Sequence, residues 1–435
     1  MRTAFIHYWL TKMRGGERVL ETLSEMLPDA DIFTHVLDRK NISSQLLSHN
    51  IDTTFIDKLP FARTHYQKYL PLMPRALEEL DLQDFDLVIS SESGPAKGVI
   101  PRPDALHVCY CHTPMRYIWD HYNPYLRNAG FATRIAFPHI AHKLRMLDVS
   151  SAARVDVFAA NSNHVAKRLE KYYRRDSVVV HPPVDVDAFS PVESHEVEDA
   201  YLAAGELVAY KRFDIAVEAF TKSGRKLVVI GDGEERKTLE KMAGPNIEFR
   251  GRVPFEELKS AFAKHRALVF PGEEDFGIVP VEVMASGRPV IAYGRGGALD
   301  TVNEETSGVF FDEATADSLN NAIERFEREF EPAFKPLKAI QHARQFSPEV
   351  FKSAFRDLLA AHGVRIRPAE LLPMAELRSS LLNDIRQKAL RRPPPVHEPQ
   401  TDIPHLNTTT LKSLPHRKQR VAAAQEFAPN SIKRN

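Results

Sequence analysis

The segment Ala267–Gly294, ALVFPGEEDFGIVPVEVMASGRPVIAYG, decides how the rest of the chain is read. ALVFPG reads as a strand ending at Pro271–Gly272, EEDFG as the turn after it, and PVIAYG as the next strand. Pro280 suits the first turn of an intervening helix, where a missing N–H costs little, and Gly287 suits its end. Strands that are apolar throughout, separated by helices, belong to parallel sheets covered on both faces. The same segment sets Glu273, Glu274 and Asp275 directly after an apolar strand and Glu282 inside an apolar run. In doubly wound folds the carboxyl ends of the strands are where ligands bind.

Working outward, the pattern repeats in both directions. RTAFIHYW precedes GERVLETLSEML, where Val19, Leu20, Leu23, Met26 and Leu27 keep helical spacing. DLVISSES, ALHVCYCH and VDVFAANS follow, the last leading into the helical HVAKRLEKYY. After the proline- and acid-rich SVVVHPPVDVDAFSP the alternation restarts with YLAAGE, KLVVIGDG, ALVFPG, PVIAYG and GVFF as strands. At 435 residues the chain exceeds what one core usually organises. The expected architecture is therefore α/β, with one doubly wound domain over 1–185, a linker over 186–199 and a second over 200–345. SPEVFKSAFRDLLAAHG then predicts a helix within 346–363, with Ser347 as N-cap, Pro348 at the first helical position and Gly363 at the stop. Beyond residue 366 the pattern fails. ELLPMAELRSSLLNDIRQKAL could be one amphipathic helix, and the proline-rich, polar remainder to residue 435 reads as a disordered tail that could contact a partner or a membrane.

Charge and composition narrow the function. A formal net charge of +0 argues against a dedicated nucleic-acid binder. No segment reaches the ~20 apolar residues that span a bilayer. The first residues lack a secretory cleavage pattern, and Cys109 and Cys111, two apart, are poorly placed for a disulfide. A thiol-reducing cytoplasm fits. YLRNAGFATRIAFPHIAHKLRM carries Arg127, Arg134, Lys143 and Arg145 with no acid between Tyr125 and Met146. It reads either as an interfacial helix on anionic lipid or as an ordinary solvated helix face. The former would place the protein at the inner face of the plasma membrane.

Several residues at predicted strand ends can do chemistry. Glu274 and Glu282, eight apart, bracket a turn whose N–H groups and helix dipole favour an anion. Acids enrich helix starts in any case, which accounts for Glu273 and Asp275. Glu282, expected in the first helical turn, reads as an acceptor for ligand hydroxyls, because a carboxylate among apolar neighbours needs such partners. Lys211 and Arg212, adjacent cations after the first strand of the second domain, suit a diphosphate; elsewhere such pairs are solvated surface charges. Gly15 and Gly16, between the first strand and first helix, allow close backbone approach to a ligand or make a tight turn. His112 ends a strand at the same kind of edge, where a lone histidine is usually structural. Cys109, Cys111 and His112 are too few and too close together for zinc. GDGEER has Gly231 and Gly233 but Arg236 at the third position of a dinucleotide fingerprint, which weakens an oxidoreductase reading.

EDFGIVPVE resembles the glutamate–seven residues–glutamate signature of family-4 (group 1) retaining glycosyltransferases, which have two facing Rossmann-like domains in the GT-B fold. GRPVIAYGRGGALDTV, GELVAYKRFDIAVEAF, FRGRV, GGERVLE, YCHTPMRYIWDHY and FAANSNHVAKRLEKYY agree with it, so the resemblance covers residues 1–362. Within the family the chain looks most like bacterial polysaccharide mannosyltransferases. The resemblance implies that Glu282 binds the nucleotide ribose and that Glu274 lies near the transferred sugar. Phe276, Gly277 and Ile278 would offer backbone N–H groups to the donor. Lys211, with Arg212, would hold the diphosphate, Gly15 and Gly16 would border donor and acceptor, and His112 would act beside the sugar. Many relatives carry arginine where this chain has Glu206, so either Arg212 compensates or the clamp rests on Lys211 alone. The implied reaction moves a hexose, by preference mannose from GDP-mannose, to a glycan or lipid-linked glycan in surface-polysaccharide synthesis. It needs neither metal nor cofactor beyond the nucleotide-sugar substrate. The alternative is a nucleotide-sugar-binding scaffold without turnover.

Overall fold

A computed structural model describes residues 1–366; the expected tail helix and polar tail lie outside the described residues. Among the described residues thirteen short strands form two wholly parallel sheets. β1 (Thr3–His7), β2 (Asp31–Thr34), β3 (Ile51–Thr53), β4 (Leu87–Glu92), β5 (Leu106–Cys111), β6 (Val157–Ala160) and β7 (Val178–Val179) make the first, in the order β3-β2-β1-β4-β5-β6-β7. β8 (Tyr201–Ala204), β9 (Leu227–Ile230), β10 (Ile247–Gly251), β11 (Leu268–Phe270), β12 (Val290–Tyr293) and β13 (Gly308–Phe311) make the second, in the order β10-β9-β8-β11-β12-β13. β1, β4, β5 and β11 are buried almost throughout, as a sheet covered on both faces requires, with His7, Ser90, Ser91, Glu92 and His107 buried among their apolar residues.

Each sheet reverses its winding next to its first strand, between β1 and β4 and between β8 and β11. At such switch points the loops diverge and leave a crevice beyond the carboxyl ends. The loops after β1, β8 and β11 carry Gly15–Gly16, Lys211 and Glu274 respectively, so topology alone gathers most of the chemically interesting residues at two edges.

The chain passes between the domains twice. Val184, Val186 and Phe189 are buried in the core of the second domain with Phe262 and Met284, and the Val184 N–H donates to the Phe346 carbonyl at 2.8 Å. The first residues of the stretch expected as linker thus belong to that core. After the second crossing, the helix Pro348–Ala361, capped by Ser347, lays Phe351, Phe355, Leu358 and Leu359 against Phe5, Val108 and Tyr110 of the first domain. Lys352 pairs with Glu25 at 2.6 Å on the rim of that contact. Both cysteines are free and buried on β5. Among the described residues no helix is long and apolar enough to cross a membrane.

Candidate active site

The helix after β11 begins at Ile278, two residues before Pro280, because Gly277 takes a left-handed conformation (φ +97°) and caps it. That conformation is strained for any residue with a side chain. Glu282 therefore lies in the second helical turn rather than the first. It remains half-buried on the wall of the interdomain crevice with Met13, Arg14, Gly15 and Ile278. Burial raises its pKa to about 7, so a ligand that donates hydroxyl hydrogen bonds would complete its ionisation. Among the described residues the N–H groups of Gly277 and Ile278 donate no hydrogen bond, and the helix dipole adds to their pull on an anion. The Phe276 N–H likewise donates no hydrogen bond among the described residues, while its side chain is not part of this surface. That side chain is buried against the rings of His181 and Phe346, both at 5.5 Å.

Lys211 and Glu274 meet, with Nζ 3.0 Å from Oε1 and exposures of 15% and 20%. They lie 63 positions apart in sequence, but β8 and β11 are neighbours and Gly272 packs on the Lys211 backbone. Burial alone would lower the Lys211 pKa; Glu274 and Tyr210 outweigh it and hold the ammonium above its ordinary value. The Lys211 ammonium also lies against Gly205, where the crevice is lined by Lys12, Arg14, Glu206, Gly231 and Arg252. The two parts of the crevice, sharing Met13 and Arg14, hold about 520 and 670 Å³, room enough for a nucleotide sugar.

Arg212 does not join this pair. Its backbone is left-handed (φ 54°), which turns the guanidinium away to Asp214, with Nε–Oδ1 and Nη2–Oδ2 both at 3.0 Å. It borders a separate cavity with His121, Tyr210 and Tyr293. The cations beside Glu206 are instead Lys12, Arg14 and Arg252, and the sequence reading singled out none of them for this role.

On the opposite wall, Gly15 and Gly16 open the helix Gly15–Met26. A β-carbon at Gly16 would sit 2.6 Å from the Tyr8 hydroxyl and 3.5 Å from His112 Nε2, and one at Gly15 would sit 2.8 Å from Ile278 Cδ1. Bare backbone at Gly16 thus lets the helix start pack on Tyr8 and His112, and at Gly15 it leaves room for Ile278 of the other domain. The His112 N–H donates to the Glu92 carbonyl at 2.8 Å, and its Nε2 is 2.9 Å from Ser91 Oγ. Burial, aided by His7, lowers its pKa to about 3, so the ring is neutral at physiological pH. His7 and Glu17, not singled out from sequence, are buried behind it with Nε2 and Oε1 3.7 Å apart. Burial would raise the Glu17 pKa, but the contact with His7 brings it below the ordinary value.

Asp275, expected as a plain helix-start acid, is an interdomain ligand instead. Its Oδ1 accepts from Arg116 Nη2 at 2.7 Å, from Arg168 Nη1 at 2.8 Å and from Thr113 Oγ1 at 3.2 Å. Glu273 lies at the edge, half exposed and 3.9 Å from His164.

With this geometry in view, comparison with known proteins is decisive for the family. The sequence pattern of "Glycosyltransferase Family 4" matches residues 13–188 and that of "Glycosyl transferases group 1" matches residues 185–345. A GDP-mannose-dependent alpha-mannosyltransferase of Corynebacterium glutamicum is 36% identical over 109 residues, 25% of this chain and 26% of the relative. The alpha-1,3/1,6-mannosyltransferase of Schizosaccharomyces pombe is 22% identical over 373 residues, 71% of this chain and 70% of the relative. Among solved structures, Anabaena Alr3699/HepE in complex with UDP superposes with a TM-score of 0.61 at 15% identity, covering 83% of this chain and 100% of that one. The chain has two facing Rossmann-like domains, the GT-B fold. It belongs to the group 1, family-4 glycosyltransferases, and mannosyltransferases are among its relatives.

Proposed function

We propose that the chain is a retaining hexosyltransferase that moves mannose from GDP-mannose to a hydroxyl of a glycan or lipid-linked glycan in surface-polysaccharide synthesis. The observation that carries this reading is the Lys211–Glu274 pair, set where the loops after β8 and β11 meet at the switch point of the second sheet. The donor and sugar follow the printed activity of relatives such as the Corynebacterium enzyme.

In this reading the ribose hydroxyls donate to Glu282, and Lys211 with the Gly277 and Ile278 N–H groups takes the charge of the departing diphosphate. The bond from C1 to the diphosphate oxygen breaks as the acceptor oxygen bonds C1 on the same face. The acceptor proton passes to the leaving phosphate oxygen. Glu274 and neutral His112 orient the sugar, where geometry counts for more than basicity. Protein cations do what a metal would otherwise do. Closure of the domains over the donor would exclude water as a competing acceptor.

The helix Phe131–Ala152 supports a contact with anionic membrane. It exposes Phe131, Ile135 and Met146 beside Arg134 and Lys143, while Arg145 turns inward onto the Ile118 carbonyl and the Tyr122 ring.

Release of nucleotide from a panel of nucleotide sugars, with Glu282→Ala, Lys211→Ala and His112→Ala alongside, tests the reading. Turnover by the wild type, weakened in all three variants, is expected. Failure of the wild type to bind or consume any common donor would sink it, and binding without turnover, even with acceptor extracts, would point to the scaffold instead.

A further inference from the structure

The turn that carries Glu274 is held from outside its own domain. Asp275 Oδ1 is clamped by two guanidiniums of the N-terminal domain, Arg116 at 2.7 Å and Arg168 at 2.8 Å. Ser162 Oγ, from the same domain, donates to the Asp275 carbonyl at 2.5 Å. Arg168 is buried and is itself fixed by Asp120 Oδ1 at 2.8 Å and by the Thr113 hydroxyl. Two guanidiniums thus face two carboxylates, so the group is balanced only while Asp275 is present. A second tie reaches the same turn from its other side. Asn163 Nδ2 donates to Asp300 Oδ1 at 2.5 Å, and Asp300 lies in the short helix Ala298–Thr301. That helix is preceded by Gly297, whose N–H donates to the Glu274 carbonyl at 2.8 Å. Gly297 has no room for a side chain, because a β-carbon would lie 2.3 Å from Phe276 Cα.

We infer that Asp275 is a positioning residue: through it the N-terminal domain grips the turn that sets Glu274 against Lys211, so that apposition of the domains and assembly of the site are one event. Glu274 faces the crevice while its neighbour faces the other domain, and neither can move without the other. Removing the charge at Asp275 leaves Arg116 and Arg168 confronting each other, which favours separation of the domains. The nucleotide contact assigned to Glu282, in the second turn of the helix beyond, stays within the C-terminal domain and is spared.

The inference rests on the proposed transfer reaction for its kinetic readout and on geometry alone for its second one. With GDP-mannose as donor, Asp275→Asn is expected to lower kcat by about 10²-fold, the cost of misplacing a reacting group by about 1 Å. Affinity for GDP should stay within about twofold, which separates positioning from loss of binding. Adding Arg168→Gln to Asp275→Asn should cost little more, although Arg168→Gln alone is costly, because residues acting as a unit are non-additive. Small-angle scattering of the ligand-free protein should show a larger radius of gyration for Asp275→Asn than for the wild type. Wild-type kcat, additive losses or an unchanged radius would each overturn the inference. If the wild type does not consume GDP-mannose, the functional reading fails and scattering still decides the role of Asp275. If Asp275→Asn does not fold, Ser162→Ala and Arg168→Gln, which loosen the same turn from the opposite domain, carry the same measurements.

Discussion

Two lysine–carboxylate groups, one inside the N-terminal domain and one at the crevice, use the same chemistry to different ends. Lys97 is fully buried. Its Nζ donates to Glu92 Oε1 at 2.9 Å and to Asp148 Oδ1, and lies 3.4 Å from the Tyr173 hydroxyl. Asp148 Oδ2 accepts from Trp119 Nε1 and from the Tyr173 hydroxyl, both at 2.8 Å, and Glu92 Oε2 accepts from the Lys97 N–H at 2.7 Å. Every acceptor there is used, as a charge withdrawn from water demands. Lys211 and Glu274 are partly exposed and, among the described residues, form a single ion pair. The first group is closed and ties strands to helices; the second has valences to spare beside a cavity. The contrast teaches that satisfaction, more than charge or burial, separates a structural ion cluster from one poised for a ligand.

That contrast can be broken in four ways. Lys97→Met leaves Glu92 and Asp148 buried without their cation, which should cost about 3–5 kcal/mol of stability by denaturant titration. The fraction that still folds should keep wild-type turnover. Lys211→Ala should reverse the pattern, with nucleotide release falling about 10²–10³-fold, as for loss of one preorganised charge donor, and little change in melting temperature. His112→Ala should lower turnover by a smaller factor. An unchanged rate would return the ring to a structural role.

The smallest effect concerns pH. The Glu282 pKa is raised from 4.5 to about 7, so the folded state holds a proton there that the unfolded state has lost between those values. Stability from this group is therefore greatest below about pH 4.5 and is lost as pH rises through 7. Glu282→Gln should melt higher than wild type at pH 8, and the gap should close towards pH 4. Donor affinity of the wild type should move the other way, weakening as pH falls below 7, because hydroxyl donors need the carboxylate. A melting difference that does not vary with pH would place Glu282 outside the buried wall.

Much of this was legible in sequence because parallel strands announce themselves as unbroken apolar runs. ALVFPG, PVIAYG and KLVVIGDG lie on β11, β12 and β9, and the proline-rich break falls where the domains change. DIFT, IDT and IEFRG, now β2, β3 and β10, carry too few residues or too much polarity to be seen that way. The crevice was legible from topology, since residues after switch-point strands must converge. What escaped depends on contacts between distant positions or on backbone handedness. Asp275 looks like any helix-start acid until Arg116 and Arg168 arrive from another domain. Arg212 looks like a partner for Lys211 until a left-handed backbone turns it to Asp214. Lys12 and Arg14 come to line the same cavity as Glu206 only when the two domains face each other, and Arg252 reaches it from the loop after β10.

Calorimetric titration of GDP-mannose into the wild type and Lys211→Ala tests the central claim most directly, with UDP- and ADP-sugars as controls. The crevice should bind one nucleotide sugar, and the variant should bind it at least tenfold more weakly while folding normally. Equal affinity of the two proteins, or no binding of any of these sugars to the wild type, would contradict the assignment of the crevice as the donor site.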